Sequence, residues 1–283
     1  MGRLFSLKEV WAGKWNPDHN RKKVFLLTLK PYFSELRMSA RLSKTFGLAC
    51  LIGNYVLQAL RVAFLLLLWR SLFQMGGANG MTLAQTLKYT LCSAALAPLL
   101  DVRTPAGSWL HDGAIASRCL RPMSLMGQLA ADALGTAVTP LCVFVPLCAL
   151  TGLMMNVPFL PESAWFFPSL LLCMSQGFVI DLFYACVIIR IGNLSWQVHL
   201  LRSALGVLFT GGLIPFAALP WGIGKWLAMS PLGTLAGAPL SLYAGLAAPM
   251  EIVPVQILWN LILWPLILWW FNRSMERLVS FGG

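Results

Sequence analysis

Charge is scarce in this chain: Asp, Glu, Lys and Arg make up 11% of its 283 residues, where an ordinary soluble domain carries about 25%. Acid is scarcer still, with 10 Asp and Glu beside 21 Lys and Arg. The three histidines, His19, His111 and His199, are far apart, with no H-E-x-x-H and no C-x-x-C, so there is no positive signal for a metal site. G-x-S-x-G and paired-carboxylate hydrolase motifs are missing too. The two Gly-Lys pairs, Gly13-Lys14 and Gly224-Lys225, lack both the upstream glycine and the following Ser or Thr of a phosphate loop. The chain is therefore expected to bind no cofactor and to hydrolyse no ATP by itself. Of the seven cysteines, all but Cys119 lie in apolar runs and read as small packing residues.

What is present is apolar: 58% hydrophobic residues, with 12 Trp. Each membrane-spanning helix needs roughly 20 such residues, so several spans fit and little is left for a soluble enzyme domain. Apolar stretches fall at about 46–69, 82–100, 123–153, 165–189, 203–219 and 251–271. The expectation is an all-α membrane protein of six spans, with a cytoplasmic basic segment over 1–45 and a transmembrane domain over 46–283. Pro140 and Pro146 predict a kink or tilt in the third span.

The net charge of +11 would suggest nucleic acid in a soluble protein, but here its placement speaks of topology. Ten of the lysines and arginines crowd into 1–45, a segment without the apolar core and cleavage site of a signal peptide. With Arg103, Arg118, Arg121, Arg190, Arg202, Arg273 and Arg277 they make seventeen on one side; Arg70 and Lys225 lie on the other. The positive-inside rule then puts both termini in the cytoplasm, with no nucleic-acid partner implied.

Over 28–44, Leu29, Tyr32, Phe33, Leu36 and Ala40 share one helical face and Lys30, Arg37, Arg41 and Lys44 the other, which predicts an amphipathic helix in the lipid interface. The stretch 211–250 carries one charge, Lys225, and is broken by Gly211, Gly212, Pro215, Pro220, Pro231, Pro239 and Pro249. That suits half-helices dipping into the outer leaflet better than one span. Four ionisable residues fall within spans: Arg61, Lys88, Asp132 and Asp181. Asp132, about ten residues into the third span, would sit roughly 15 Å deep. Such groups pair with one another, as Arg61 with Asp132, or line a polar path for substrate or proton. The loop 101–122 predicts a short helix presenting Trp109, Leu110 and Ile115 as an apolar docking surface.

The run GAIASRCLRPMS, Gly113 to Ser124, resembles the signature after the second span of type-2 ABC-transporter permeases. Gly211-Gly212-Leu213-Ile214-Pro215, followed by Leu219-Pro220, is similar to that family's glycine-proline pattern at the outer end of the fifth span. The tail Trp269-Trp270-Phe271 to Gly282-Gly283 resembles a subgroup whose permeases are often encoded in pairs beside one ATPase. The resemblance implies an exporter subunit of a bacterial cytoplasmic membrane, working with two ABC ATPase subunits that hold ATP and Mg. It also implies a second permease, a heterodimer in preference to a homodimer. Gly113, Ile115, Arg118, Leu120, Arg121 and Pro122 would contact or position the ATPase, with Ile115→Asp expected to uncouple it from a folded permease. Two rival readings are a proton-coupled carrier using Asp132 or Asp181, and a membrane-embedded enzyme acting on lipid, for which no catalytic constellation is present.

Overall fold

The computed structural model describes residues 17–42, 48–76, 81–121, 123–191, 195–219 and 222–281, all of whose regular structure is helical. In chain order these are α1 (Pro17–Leu42), α2 (Leu48–Gln74), α3 (Leu83–Leu100), α4 (Ala106–His111), α5 (Ala114–Cys119), α6 (Leu125–Met154), α7 (Phe166–Ile191) and α8 (Ser195–Phe209). A 3-10 turn (Phe216–Ala218) follows, then α9 (Ile223–Met229), α10 (Gly233–Ala244) and α11 (Pro249–Phe281). Four segments are long and apolar enough to cross a membrane: Tyr55–Gln74, Leu125–Met154, Phe166–Ile191 and Pro249–Met275. The chain is an integral membrane protein, all-helical among the described residues.

Two expected spans come out short. α3 has 18 residues, about 27 Å of helix, and carries Gln85, Thr86, Lys88 and Thr90 in its first half. The stretch expected at 203–219 is not one helix. α8 begins earlier, at Ser195, and stops at Phe209. Beyond it Gly211 takes φ +74°, a conformation that L side chains resist, and the chain bends into the 3-10 turn. α6 runs unbroken through Pro140 and Pro146 for 30 residues.

The helix starts follow local chemistry. Thr82 caps α3 in a reciprocal box with Gln85, Gln85 N donating to Thr82 Oγ1 at 3.3 Å and Thr82 N to Gln85 Oε1 at 3.0 Å. Ser124 caps α6, accepting from Gly127 N at 3.2 Å.

α7 is the hub, packing against α11, α10, α3, α4 and α8, while α6 lies between α1 and α3, and α2 packs on α3. One apolar core joins Val102, Trp109 and Ile115 of the loop region to Leu129 on α6, Leu182 on α7 and Phe271 on α11. A second joins Tyr89, Cys173, Leu240 and Tyr243, and a third joins Leu66, Trp69, Leu91 and Cys148. In α10 every residue except Ser241 is buried.

Candidate functional site

The loop between α3 and α6 is a pair of six-residue helices joined at Gly113, whose φ of +69° suits glycine. Here one expectation is corrected. Trp109 and Ile115 are not an exposed docking face: Ile115 is 4% exposed and both side chains belong to the core with α6, α7 and α11. The apolar spacing reads equally well as a face turned inward. Leu120, by contrast, is 87% exposed. Leu110 and Pro122 lie outside the described side chains and residues.

The loop is fastened to α1 by charge. Glu35, buried on α1, accepts from Arg121 Nη1 at 2.9 Å and from Arg118 Nη1. The Arg118 guanidinium also lies 4.1 Å from the centre of the Trp109 ring, a cation-π contact. Gln128 of α6 holds the loop end, donating to Arg118 O at 3.0 Å and Met123 O at 3.3 Å. Ser124 N donates to Tyr32 Oη at 3.1 Å. The α1 face on α6 is thus Tyr32, Glu35, Leu36 and Ser39, while Phe33 is exposed with Lys30, Arg37 and Arg41. The expected apolar face is split between protein and surroundings. Gly127 and Gly135 permit the approach, since a Cβ on Gly127 would strike the Tyr32 ring and one on Gly135 the Leu36 carbonyl.

A second ionic strap closes the start of the loop. Asp181 of α7 accepts from Thr104 N at 2.8 Å and from the Thr104 hydroxyl, and it ion-pairs with Arg202 of α8. Arg202 donates also to Val102 O at 2.7 Å and to Asp101 at 3.1 Å, and Asp101 is held by Arg103 at 2.8 Å.

The four predicted intramembrane ions do not meet one another. Asp132 accepts from the Ser39 hydroxyl of α1, not from Arg61. Lys88, buried, pairs at 2.7 Å with Glu162 in the α6–α7 connection and lies 5.3 Å from the Tyr243 ring centre. That ammonium holds the exposed Glu162 carboxyl below the ordinary carboxylate range, first through its hydrogen bond and then through its charge. Sequence reasoning missed Glu35, Ser39 and Glu162 as partners and took Arg202 only as a loop charge. A signal existed for Glu162, the one acid between Asp132 and Asp181.

The segment 210–245 is built around backbone. Tyr89 Oη donates to Gly211 O at 2.5 Å, Ser93 to Gly212 O, and Gly237 N to Thr210 O at 2.7 Å. A Cβ on Gly211 or Gly237 would enter the Phe216 ring, one on Gly224 its carbonyl, and one on Gly233 the Leu227 carbonyl. Pro215 is buried just before the turn, and Pro220 lies outside the described residues. The carbonyl of Pro231 in the bend before α10 is satisfied from α7, Gln176 Nε2 donating to it at 2.6 Å, and Gln256 Nε2 of α11 donates to Thr234 O in the first turn of α10 at 2.8 Å. Ser169 donates to Gln256 Oε1 at 2.7 Å. Both glutamines are fully buried.

Between these two regions lies a cavity of about 310 Å³ bounded by α2, α3, α7 and α8. Arg61, Asp101, Arg103 and Arg202 line it toward the loop and mid-helix, and Thr210, Gly212 and Leu232 line it toward the α9–α10 segment. No protein-family model matches the chain, and no curated protein and no solved structure is found similar to it.

Proposed function

We propose that the chain is the permease subunit of an ATP-driven ABC exporter, which forms the translocation path and couples to two separate ATPase subunits holding ATP and Mg. The observation that carries this reading is the double anchoring of the 101–121 loop. Its short helices are rooted in the core through Trp109 and Ile115 and tied to α1 through Glu35. A displacement applied at the exposed Leu120 therefore reaches α1, α6 and α7 together. Coupling of this kind works when two docking geometries favour two arrangements of the spans.

In the proposed topology α2, α3, α6, α7, α8 and α11 are six spans with both termini in a bacterial cytoplasm. α9 and α10 form a hairpin re-entering from the outer face. Backbone at membrane depth must find partners inside the protein; the bond from Gln176 to the Pro231 carbonyl, with that from Gln256 to Thr234 O in the first turn of α10, supports such a hairpin. Gln176 lies near the middle of α7, which supports a hairpin tip below the outer surface. A second permease completes the path, and the resemblance of the tail favours a different chain over a second copy.

Purification of the tagged chain from native membranes in mild detergent, with partners and stoichiometry read by mass spectrometry, tests the reading. Two copies of a phosphate-loop ATPase are expected. Leu120→Asp should leave folding within about 0.5 kcal/mol, as surface substitutions do, and strip the ATPase away. A chain that emerges alone under conditions that preserve other transporter complexes would overturn the proposal.

A further inference from the structure

We propose that the cavity between α2, α3, α7 and α8 binds a single-chain amphiphile with an anionic head, its carboxylate or phosphate on Arg61 and its chain along Val62, Leu65, Val207 and Leu213. The argument begins with Arg61. It is the midpoint of the 27-residue helix α2, about 20 Å from either end, and no ion pair or hydrogen bond engages it among the described residues. A charge inside an apolar span is costly and faces a cavity or a partner; Arg61 lies within the apolar segment Tyr55–Gln74 and lines this cavity. The other charges on the wall answer one another: Asp101 is held by both Arg103 and Arg202, and Arg202 is shared with Asp181. That leaves one guanidinium without a counterion, in a shape that takes a carboxylate or phosphate through two parallel hydrogen bonds.

The rest of the wall selects the tail. Val62, Leu65, Val207 and Leu213 give an apolar track beside the hydroxyls of Thr90 and Ser93. The volume of about 310 Å³ is at the low end of the roughly 300–1,000 Å³ of ligand pockets, which suits one chain and a small head but not a two-chain phospholipid. A cationic amphiphile would meet Arg61 as a like charge. As a binding site the cavity stands on these residues alone; that the ligand is exported rests on the function proposed above.

The test uses the full chain in phosphatidylcholine nanodiscs, without ATPase, and radiolabelled dodecanoate. Saturable binding of one molecule per chain is expected, displaced by dodecyl phosphate and not by dodecyltrimethylammonium. The relative potency of the two anions ranks carboxylate against phosphate. Arg61→Gln should weaken binding by at least about 10-fold, the scale of a charged hydrogen bond, with Arg61→Lys weakened less and Arg70→Gln unchanged. Val207→Trp, which fills the track and spares the arginine, should also abolish binding and serves if Arg61→Gln does not fold. Absence of saturable binding, equal binding by folded Arg61→Gln, or displacement by the cation would overturn the proposal. Binding without any co-purifying ATPase would sink the exporter and leave the site, and an ATPase without binding would do the reverse.

Discussion

At the loop end of the molecule, Glu35, Arg118, Arg121, Asp101, Arg202 and Asp181 fasten helices to one another through charge; at the α9–α10 end, Tyr89, Gln176, Gln256 and the glycines around Phe216 do so through neutral hydrogen bonds and backbone contact. The two solutions follow from the surroundings each end has to tolerate. A buried ion pair holds only when each charge is fully partnered, and at the loop end Glu35 has two arginines and Asp181 has Arg202 with the Thr104 hydroxyl and amide. Where the backbone itself is buried, the need is to satisfy carbonyls that have no helical partner. A neutral amide or phenol does that without stranding a charge. The charged end thus rests on side-chain pairing, whereas the neutral end rests on backbone contact and shape.

The sharpest way to break the contrast is at Glu35. Among the described residues its carboxylate accepts from both the Arg118 and the Arg121 side chains, and removing one partner of a buried pair costs about 3–5 kcal/mol, reduced here because Arg121 is partly exposed. Glu35→Ala should lower the unfolding midpoint and expose 101–121 to protease, read by thermal unfolding in detergent and by cleavage mapping. Arg121→Ala in the Glu35→Ala background should add little, since the two act as one unit. Additive losses would mean the carboxylate is not the clamp.

The neutral end should fail by overpacking. In Gly237→Val the new side chain has to displace the Phe216 ring, at a cost of about 1–3 kcal/mol, and Phe216→Leu in the same chain should recover part of it. No recovery would show that the backbone, not the ring, is what the glycine accommodates.

These two ends were unequally legible in the sequence. The breaks at Gly211, Gly212 and Pro215 announced that 211–250 could not be a single span, because glycine and proline act locally and leave a local trace. That Phe216 would be the residue they enclose had no such trace. The position of α1 was legible as a helix over 28–44 with its cations outward, but its protein-facing side carries Glu35 and Ser39, which periodicity counts as polar and turns to solvent. Their burial depends on Arg118, Arg121 and Asp132, some 83 to 93 residues away. Ile115 failed for a related reason: an apolar residue in a short loop helix reads the same whether it faces a partner or its own core. The four ionisable residues expected within spans were found as residues and not as pairs, since pairing is a tertiary property.

Tyr89→Phe is a finer probe of the neutral end. The ring stays and one donor to the Gly211 carbonyl is lost, leaving a buried acceptor unsatisfied for about 1–3 kcal/mol. Thermal unfolding of Tyr89→Phe beside Ser93→Ala, which removes the donor to the next carbonyl, should show both weakening the bend. An unchanged midpoint in both would place the strength of this end wholly in its packing.

The smallest effect should come from Lys88 and Glu162, which set one charge pair at the otherwise neutral end. Glu162 is ionised more readily in the folded chain than in an ordinary carboxyl because of the ammonium beside it. The contribution of the pair is therefore complete at neutral pH, begins to fall as pH drops below the unfolded carboxyl value near 4.5, and is gone once pH has passed the lower folded value. The partners are unequal, Lys88 being buried and Glu162 open to water, so solvent screens the carboxylate and the loss is modest. Thermal unfolding between about pH 7 and pH 3 should show wild type losing ground to Glu162→Gln only at the acid end of that range, with the two curves converging there. Curves that stay parallel throughout would mean that Lys88 is stabilised by the Tyr243 ring and that the charge pair adds nothing.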